Sequence, residues 1–264
     1  MTTSPAPPIT PDLKQVLKRL RLSGMLPTLP DRIALAKQSH MAYPAFLELV
    51  LSDEISRREE GTLDRRLRAA AFEELVTLEQ WDDTADIRYD RQLVQELFGL
   101  HFLSRHEHVL IVGQVGVGKT FLAQALGHAA CRAGYSVLFV RVDTMLKQLA
   151  TARADYSFDR ELRRFLAPDL VVADDFGLHK LSAQQSSDFY DVIIGRHRTS
   201  SLIVTSNRDV SEWLALFDDP ILANSALDRL THSSYQLVME GESHRKRTSP
   251  HARRSQAANQ EPHS

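Results

Sequence analysis

The residues Gly113-Gln114-Val115-Gly116-Val117-Gly118-Lys119-Thr120 keep the spacing G-x-x-x-x-G-K-[ST], that of a loop wrapping nucleotide phosphates. Its glycines let backbone N–H groups converge on phosphate oxygens, and a helix starting where the loop ends adds partial positive charge. In that chemistry Lys119 reaches the β- and γ-phosphates and the Thr120 hydroxyl ligates Mg²⁺. Phe121, the next residue, completes the candidate ATP-binding set.

Further along, Leu170-Val171-Val172-Ala173 runs into Asp174 and Asp175. Two carboxylates at the carboxyl end of an apolar strand lie on the edge where open α/β sheets bind ligands. Asp174 is the expected Mg²⁺ residue, acting through the ion's water shell, and Asp175 the residue that polarises the attacking water. A third apolar run, Leu202-Ile203-Val204-Thr205, ends in Ser206-Asn207, and Asn207 is the candidate that orients water near the γ-phosphate. Arginine stabilises charge on a transferred phosphoryl group, from the same chain or from a neighbour. Arg229 is assigned the role across a subunit interface and Arg245 the role within the chain.

These residues need a framework, and the periodicity supplies one. Val109-Leu110-Ile111-Val112 and Val137-Leu138-Phe139-Val140 join the two later apolar runs as strands separated by helical stretches. That alternation predicts an α/β unit with a parallel sheet flanked by helices. A helix is expected over 91–102, and the nucleotide domain over 91–246.

Ahead of it the pattern is helical. Thr10-Pro11-Asp12 reads as an N-cap, a proline at the first helical position and an acidic first turn, with Leu13, Val16, Leu17 and Leu20 following at helical spacing. Gly24 and Pro27 end that helix; others are expected over 31–37 and 44–67. Residues 11–76 thus form a small helical domain and 77–90 a linker in which Trp81 lies against the next domain. Residues 1–10 and the basic stretch 247–264 hold too little apolar surface to offset ordering entropy and are expected to be disordered tails.

The bulk numbers exclude several classes. With 43% hydrophobic and 25% charged residues the chain has the composition of a globular protein with a real core. It lacks an 18-residue apolar run and a signal-like start, so no membrane span or export is expected and the cytoplasm is the assigned compartment. The lone Cys131 makes no internal disulfide. A net charge of −2 gives no whole-chain support for nucleic acid. Locally, Lys14, Lys18, Arg19 and Arg21, then Arg57, Arg58, Arg65, Arg66 and Arg68, are candidate DNA contacts, although residues 11–71 hold 11 basic against 8 acidic residues. The alternative for the second group is a solvated helix face with ion pairs four residues apart. His101, His106 and His108 lack a carboxylate or thiolate partner and are read as helix-end residues.

The order of these motifs resembles the AAA+ ATPases, and within them the transposition helpers of the IstB type, relatives of the DnaC helicase loaders. The likeness spans about Leu13 to Arg245. It is carried by Phe46-Leu47-Glu48-Leu49-Val50, Thr77-Leu78-Glu79, Gly116 to Ala123, Asp174-Asp175-Phe176-Gly177, Ser206-Asn207, Asp228-Arg229-Leu230-Thr231-His232 and Gly241-Glu242-Ser243-His244-Arg245. Gln114-Val115 replaces a usual pair of prolines, Phe121 a usual histidine and His244 a usual tyrosine. Asp175 stands where AAA+ proteins at large carry Glu, a shortening by one methylene that slows hydrolysis more than binding.

The resemblance implies an ATP-dependent homo-oligomer that assembles on double-stranded DNA and recruits or stimulates a cognate transposase. A DnaC-like replicative helicase loader is the alternative, with a near-identical ATPase and a helicase as partner. A small-molecule kinase is disfavoured by Asp175, Asn207 and the helical appendage, and a GTPase by the lack of Asn-Lys-x-Asp. A transposase proper is disfavoured because the strand-end acids serve a phosphate loop.

Overall fold

The computed structural model describes residues 9–81 and 87–241. The expected tails, apart from Ile9 and Thr10, part of the linker, and Arg245 lie outside the described residues. The chain divides into two compact units, Met1–Arg65 and Arg66–Ser264.

In the first unit, α1 (Pro11–Arg19) starts as the sequence predicts, with the Thr10 hydroxyl accepting from the Leu13 N–H at 3.3 Å and Pro11 in the first turn. Helix α2 spans Leu29–Gln38, and α3, Tyr43–Ala70, runs on past Arg65. A small core of Leu17, Met25, Leu29 and Val50 holds the unit together. Beside it Glu54 is buried and takes two hydrogen bonds of 2.8 Å from Arg57 and one of 2.8 Å from Arg58, whose other nitrogen donates to the Arg21 carbonyl.

The Arg57 guanidinium, more than any other group, holds the Glu54 carboxyl down at about 2, from an ordinary 4.5. A depressed carboxylate pKa contributes stability that is complete above about 4.5 and is lost as pH falls through 2. Glu54→Gln accordingly destabilises this unit by roughly 1–3 kcal/mol at neutral pH, since charge-assisted bonds are lost. The gap between wild type and variant in a thermal melt narrows as pH drops from 4.5 toward 2; a gap independent of pH contradicts the assignment.

The second unit is built on a six-stranded sheet. Its strands are β1 (Ile87–Arg88), β2 (His108–Gly113), β3 (Val137–Arg141), β4 (Leu170–Phe176), β5 (Ser201–Ser206) and β6 (Ser234–Gly241), in the spatial order β1-β6-β2-β5-β4-β3. All neighbours are parallel except β1 with β6. Strands β2 to β5 cover the four predicted runs, each a fully buried apolar stretch of the kind parallel sheets require. Strand β6 escaped prediction because only Leu237 and Met239 of it are buried, in alternation with exposed residues.

Two short helices, α4 (Arg91–Phe98) and α5 (His101–Ser104), stand where one was expected. The break falls after Gly99, at Leu100 with φ 58°. Helices α6 (Lys119–Arg132), α7 (Val142–Ala154), α8 (Phe158–Leu166), α9 (Ala183–Arg196) and α10 (Pro220–His232) connect the strands. The main core packs Leu110, Val171, Val204, Phe176, Phe189 and Trp213, with Phe176 and Phe189 stacked at 4.8 Å.

At the amino end of the sheet, Arg196 is wholly buried, and its guanidinium donates to the carbonyls of Phe165, Pro168, Asp169 and Ser201 at 2.6–3.3 Å. Burial lowers its pKa to about 9, which leaves it charged at neutral pH. No helix among the described residues is long and apolar enough to cross a membrane.

Candidate functional site

Strand order decides which side chains meet. β2 ends in the phosphate loop, β5 lies beside it and β4 beside β5, so Asn207 at the end of β5 stands between Lys119 and the two aspartates. The Lys119 ammonium is buried, and it donates to the Gly113 carbonyl at 2.8 Å, the Gln114 carbonyl at 2.7 Å and Asn207 Oδ1 at 2.6 Å. Gly113 must be glycine, because at φ 150° a Cβ there lies 2.0 Å from the Met239 carbonyl oxygen of the neighbouring strand.

Asp174 is buried at the end of β4. Its carboxylate accepts from the Thr205 hydroxyl at 2.7 Å and the Thr120 hydroxyl at 3.2 Å. Burial is the main cause raising its pKa, with the neighbouring Asp175 acting in the same direction. A cation bound there favours the ionised form. Thr120 and Asp174 thus fit the sparse protein ligation of Mg²⁺, which is bound through one or two protein groups together with substrate phosphates. No cluster of three His, Cys, Asp or Glu suited to a metal exists among the described residues. His108, the most buried of the three histidines near β2, accepts from the Leu202 N–H through Nδ1 and is pushed by burial down to about 4. It is a neutral tie between β2 and β5.

Consecutive residues of an unbroken strand face opposite sides of the sheet, so Asp174 and Asp175 cannot serve one site without a local irregularity. The structure supplies it. Between Ala173 and Phe176 the register of β4 shifts against β5, and Asp175 takes φ 59°. The Asp175 N–H donates to Thr205 Oγ1 at 2.9 Å, tying the irregularity to β5.

Asp175 lines a cavity of about 690 Å³ together with Gly116 to Phe121, Asn207, Glu73, Gln124, Trp81 and Ile87. The predicted Val115 also reaches it, while Gly113 and Gln114 line an adjoining cavity with Asn207. Glu73, Gln124 and Ile87 escaped sequence reasoning, and Trp81 was expected only to lie against the next domain. Trp81, read as a linker residue, lies over Gly118, within 2.7 Å of where a Cβ would sit there, and 5.5 Å from the Phe121 ring. Glu73 pairs with Arg141 at 2.6 Å. Gln124 accepts from the Glu74 N–H through its oxygen at 3.0 Å and lines the cavity. Glu73, Gln124 and Ile87 carry no motif; the aromatic Trp81 just before the sheet was the only available signal.

Arg229 is not among the cavity-lining residues. It sits in the last turn of α10 and donates to the Ser225 carbonyl and hydroxyl at 2.8 and 2.6 Å. Among the DNA candidates, Lys14, Lys18, Arg19 and Arg21 are exposed on and after α1, whereas Arg57 and Arg58 serve Glu54. Arg65 donates to Thr62 and to the Gly61 carbonyl within its own helix; Arg66 is half-buried and Arg68 exposed.

Comparison with known proteins adds the following. Residues 15–252 match the family model described as IstB-like ATP binding protein. An ATP-binding protein in an insertion sequence of Mycobacterium tuberculosis is 41% identical over 91% of this chain and 96% of its own length. The ATP-binding protein of insertion sequence IS21 from Pseudomonas aeruginosa is 34% identical over 89% of this chain and 88% of its own. Among solved structures, DnaI superposes with a TM-score of 0.55 at 19% identity, covering 62% of this chain and 90% of that one, a likeness of fold.

Proposed function

This chain belongs to the IstB-like ATP-binding proteins, and from that premise we propose that it hydrolyses ATP as an oligomer assembled on double-stranded DNA, where it recruits or stimulates a partner transposase in insertion-sequence transposition. The observation that carries the ATPase reading is the contact of Lys119 with Asn207 beside an Asp174 clasped by Thr120 and Thr205. It joins the phosphate loop, the metal residues and the water-orienting residue in one site. The transposition setting comes from relatives whose names place them in insertion sequences. The cytoplasm, where the DNA is, is the compartment we assign.

The residues divide the work. Backbone N–H groups of the loop and the Lys119 ammonium receive the phosphates, the lysine exchanging its carbonyl acceptors for phosphate oxygens. Thr120 and Asp174 hold Mg²⁺, which neutralises charge on the phosphoryl oxygens when bound. Asp175 accepts a hydrogen bond from the attacking water and so aims its lone pair at the γ-phosphorus, and Asn207 fixes the water from the other side. Trp81, Ile87 and Phe121 offer an apolar wall to the purine ring, and the Gln124 amide a donor to one of its ring nitrogens. Arg229 acts on the site of a neighbouring subunit. Arg245 is assigned the complementary role within the chain.

Light scattering of the full chain with non-specific duplex DNA, with and without ATP at two salt concentrations, tests assembly. Large particles that form only with ATP and shrink at the higher salt are expected, because phosphate contacts release counterions. A particle size indifferent to DNA in both nucleotide conditions overturns the transposition-helper reading in favour of a helicase loader or a small-molecule enzyme.

A further inference from the structure

Helix α3 stops at Ala70, and Ala71 turns the chain at φ 57°. The residues that follow are fastened to α6, the helix that opens with Lys119 and Thr120. The Phe72 ring stands 2.7 Å from where a Cβ on Gly127 would sit and 6.4 Å from the Phe139 ring, and the Glu74 N–H donates to the Gln124 side chain at 3.0 Å. Glu73, between these two anchors, is thereby delivered to the wall of the nucleotide cavity.

There it grips Arg141. The guanidinium Nε lies 2.6 Å from one Glu73 oxygen and Nη2 donates to the other at 2.9 Å, the two-pronged geometry in which arginine binds a carboxylate most firmly. Both side chains are about half exposed, and an ion pair so placed contributes little to stability. Its position matters more. Arg141 ends β3 directly across from Asp174 on β4, and the charges of Asp175 and Asp174 both act on it. Three carboxylates, those of Glu73, Asp174 and Asp175, thus compete for one guanidinium. Asp174 is taken up by Thr120 and Thr205. Among the described residues no side chain donates to the Asp175 carboxylate, whose residue is tied only through its N–H to Thr205, so Asp175 is the partner left to Arg141 when Glu73 is removed.

We propose that Glu73 is a positioning residue for ATP hydrolysis: by holding Arg141 it keeps the Asp175 carboxylate free to take the attacking water. Strand order supplies the reason. Arg141 ends β3 on one side of β4, and Asn207 follows β5 on the other. A guanidinium forked onto Asp175 turns both carboxylate oxygens toward β3, away from the water held between Asp175 and Asn207. The inference rests on the assignment of that water to Asp175.

The test measures steady-state ATP turnover and ATP affinity of the full chain with random-sequence duplex present. Wild type, Glu73→Gln, Arg141→Gln, the double variant and Asp175→Asn are compared. Glu73→Gln is expected to lower turnover about three- to sixfold at saturating ATP, the scale of one partly exposed arginine–carboxylate pairing, with ATP bound no more weakly than by wild type. Arg141→Gln and the double variant are expected to turn over near the wild-type rate, because no guanidinium is left to capture Asp175.

An ion pair that merely braces the fold leaves the double variant no faster than Glu73→Gln. That result, or a Glu73→Gln that turns over like wild type, overturns the role of Glu73, and an inactive Asp175→Asn in the same series confines the failure to it. An Asp175→Asn that turns over at the wild-type rate overturns the water-activation reading, and the role of Glu73 with it.

Discussion

Lys119→Ala removes nucleotide binding at ATP concentrations that saturate the wild type. The lysine ammonium is buried and already fixed by two loop carbonyls and Asn207, so it meets the phosphates as a preorganised positive charge in a water-poor site. Losing a hydrogen bond to a charged group costs roughly 1.5–3 kcal/mol, about 10- to 10²-fold in affinity for each phosphate bond the lysine makes.

The titration has a built-in reporter. The chain's two tryptophans are Trp81 and Trp213; Trp213 is wholly buried, whereas Trp81 covers Gly118. Nucleotide binding therefore changes Trp81 emission in wild type and not in Lys119→Ala. Asp175→Asn, nearly isosteric, keeps the emission change and loses turnover by roughly 10²- to 10⁴-fold, the scale of a positioned proton acceptor. Equal ATP affinity in wild type and Lys119→Ala sinks the phosphate-loop assignment.

Arg229→Ala loses turnover by roughly 10³- to 10⁵-fold, the range for an arginine that stabilises charge on the transferred phosphoryl group, and regains part of it when mixed with Lys119→Ala subunits. Because Arg229 does not line the nucleotide cavity, its proposed role needs a neighbouring subunit. Arg229 lies three residues before the end of α10, and β6 starts at Ser234 just beyond it, beside His108 at the start of β2. Arg229 is thus at the amino end of the sheet, while Asp175 and Asn207 are at carboxyl ends. In a mixed oligomer the Lys119→Ala subunit supplies an intact arginine to the intact phosphate loop of an Arg229→Ala subunit. No recovery at any mixing ratio removes the trans role.

The phosphate loop, Asp174, Asp175 and Asn207 were legible because each follows a run of apolar β-branched residues, and a buried parallel strand has no polar face to blur that pattern. Strand β6 was not legible, since its alternation of buried Leu237 and Met239 with exposed Val238 and Glu240 resembles a loop with scattered apolar residues. The two-residue β1 exists only through its pairing with β6. Within the site, the spacing predicted that both aspartates lie at the strand end but not how both serve it. That depends on the register shift in β4 and the positive φ of Asp175, and neither residue is a glycine that would have announced it. Trp81 was legible as lying against the next domain but not as the cover of Gly118, because a contact 37 positions away is set by tertiary packing and has no local period. Arg57 and Arg58 read equally well as a DNA face or as helix ion pairs, and the structure uses them on buried Glu54.

The buried guanidinium of Arg196 sets how Arg229 would act in the proposed oligomer. It ties the segment before β4 to the start of β5, and the adjacent His197 lies near Arg229. The end of the sheet that carries Arg229 is therefore a stiff block, whose amides are expected among the slowest in hydrogen exchange. An arginine mounted on such a block is not brought to its target by a loop folding over. In the proposed oligomer it would arrive or withdraw only as whole subunits rotate against each other, so that curvature along DNA and the rate of ATP turnover would be a single mechanical variable.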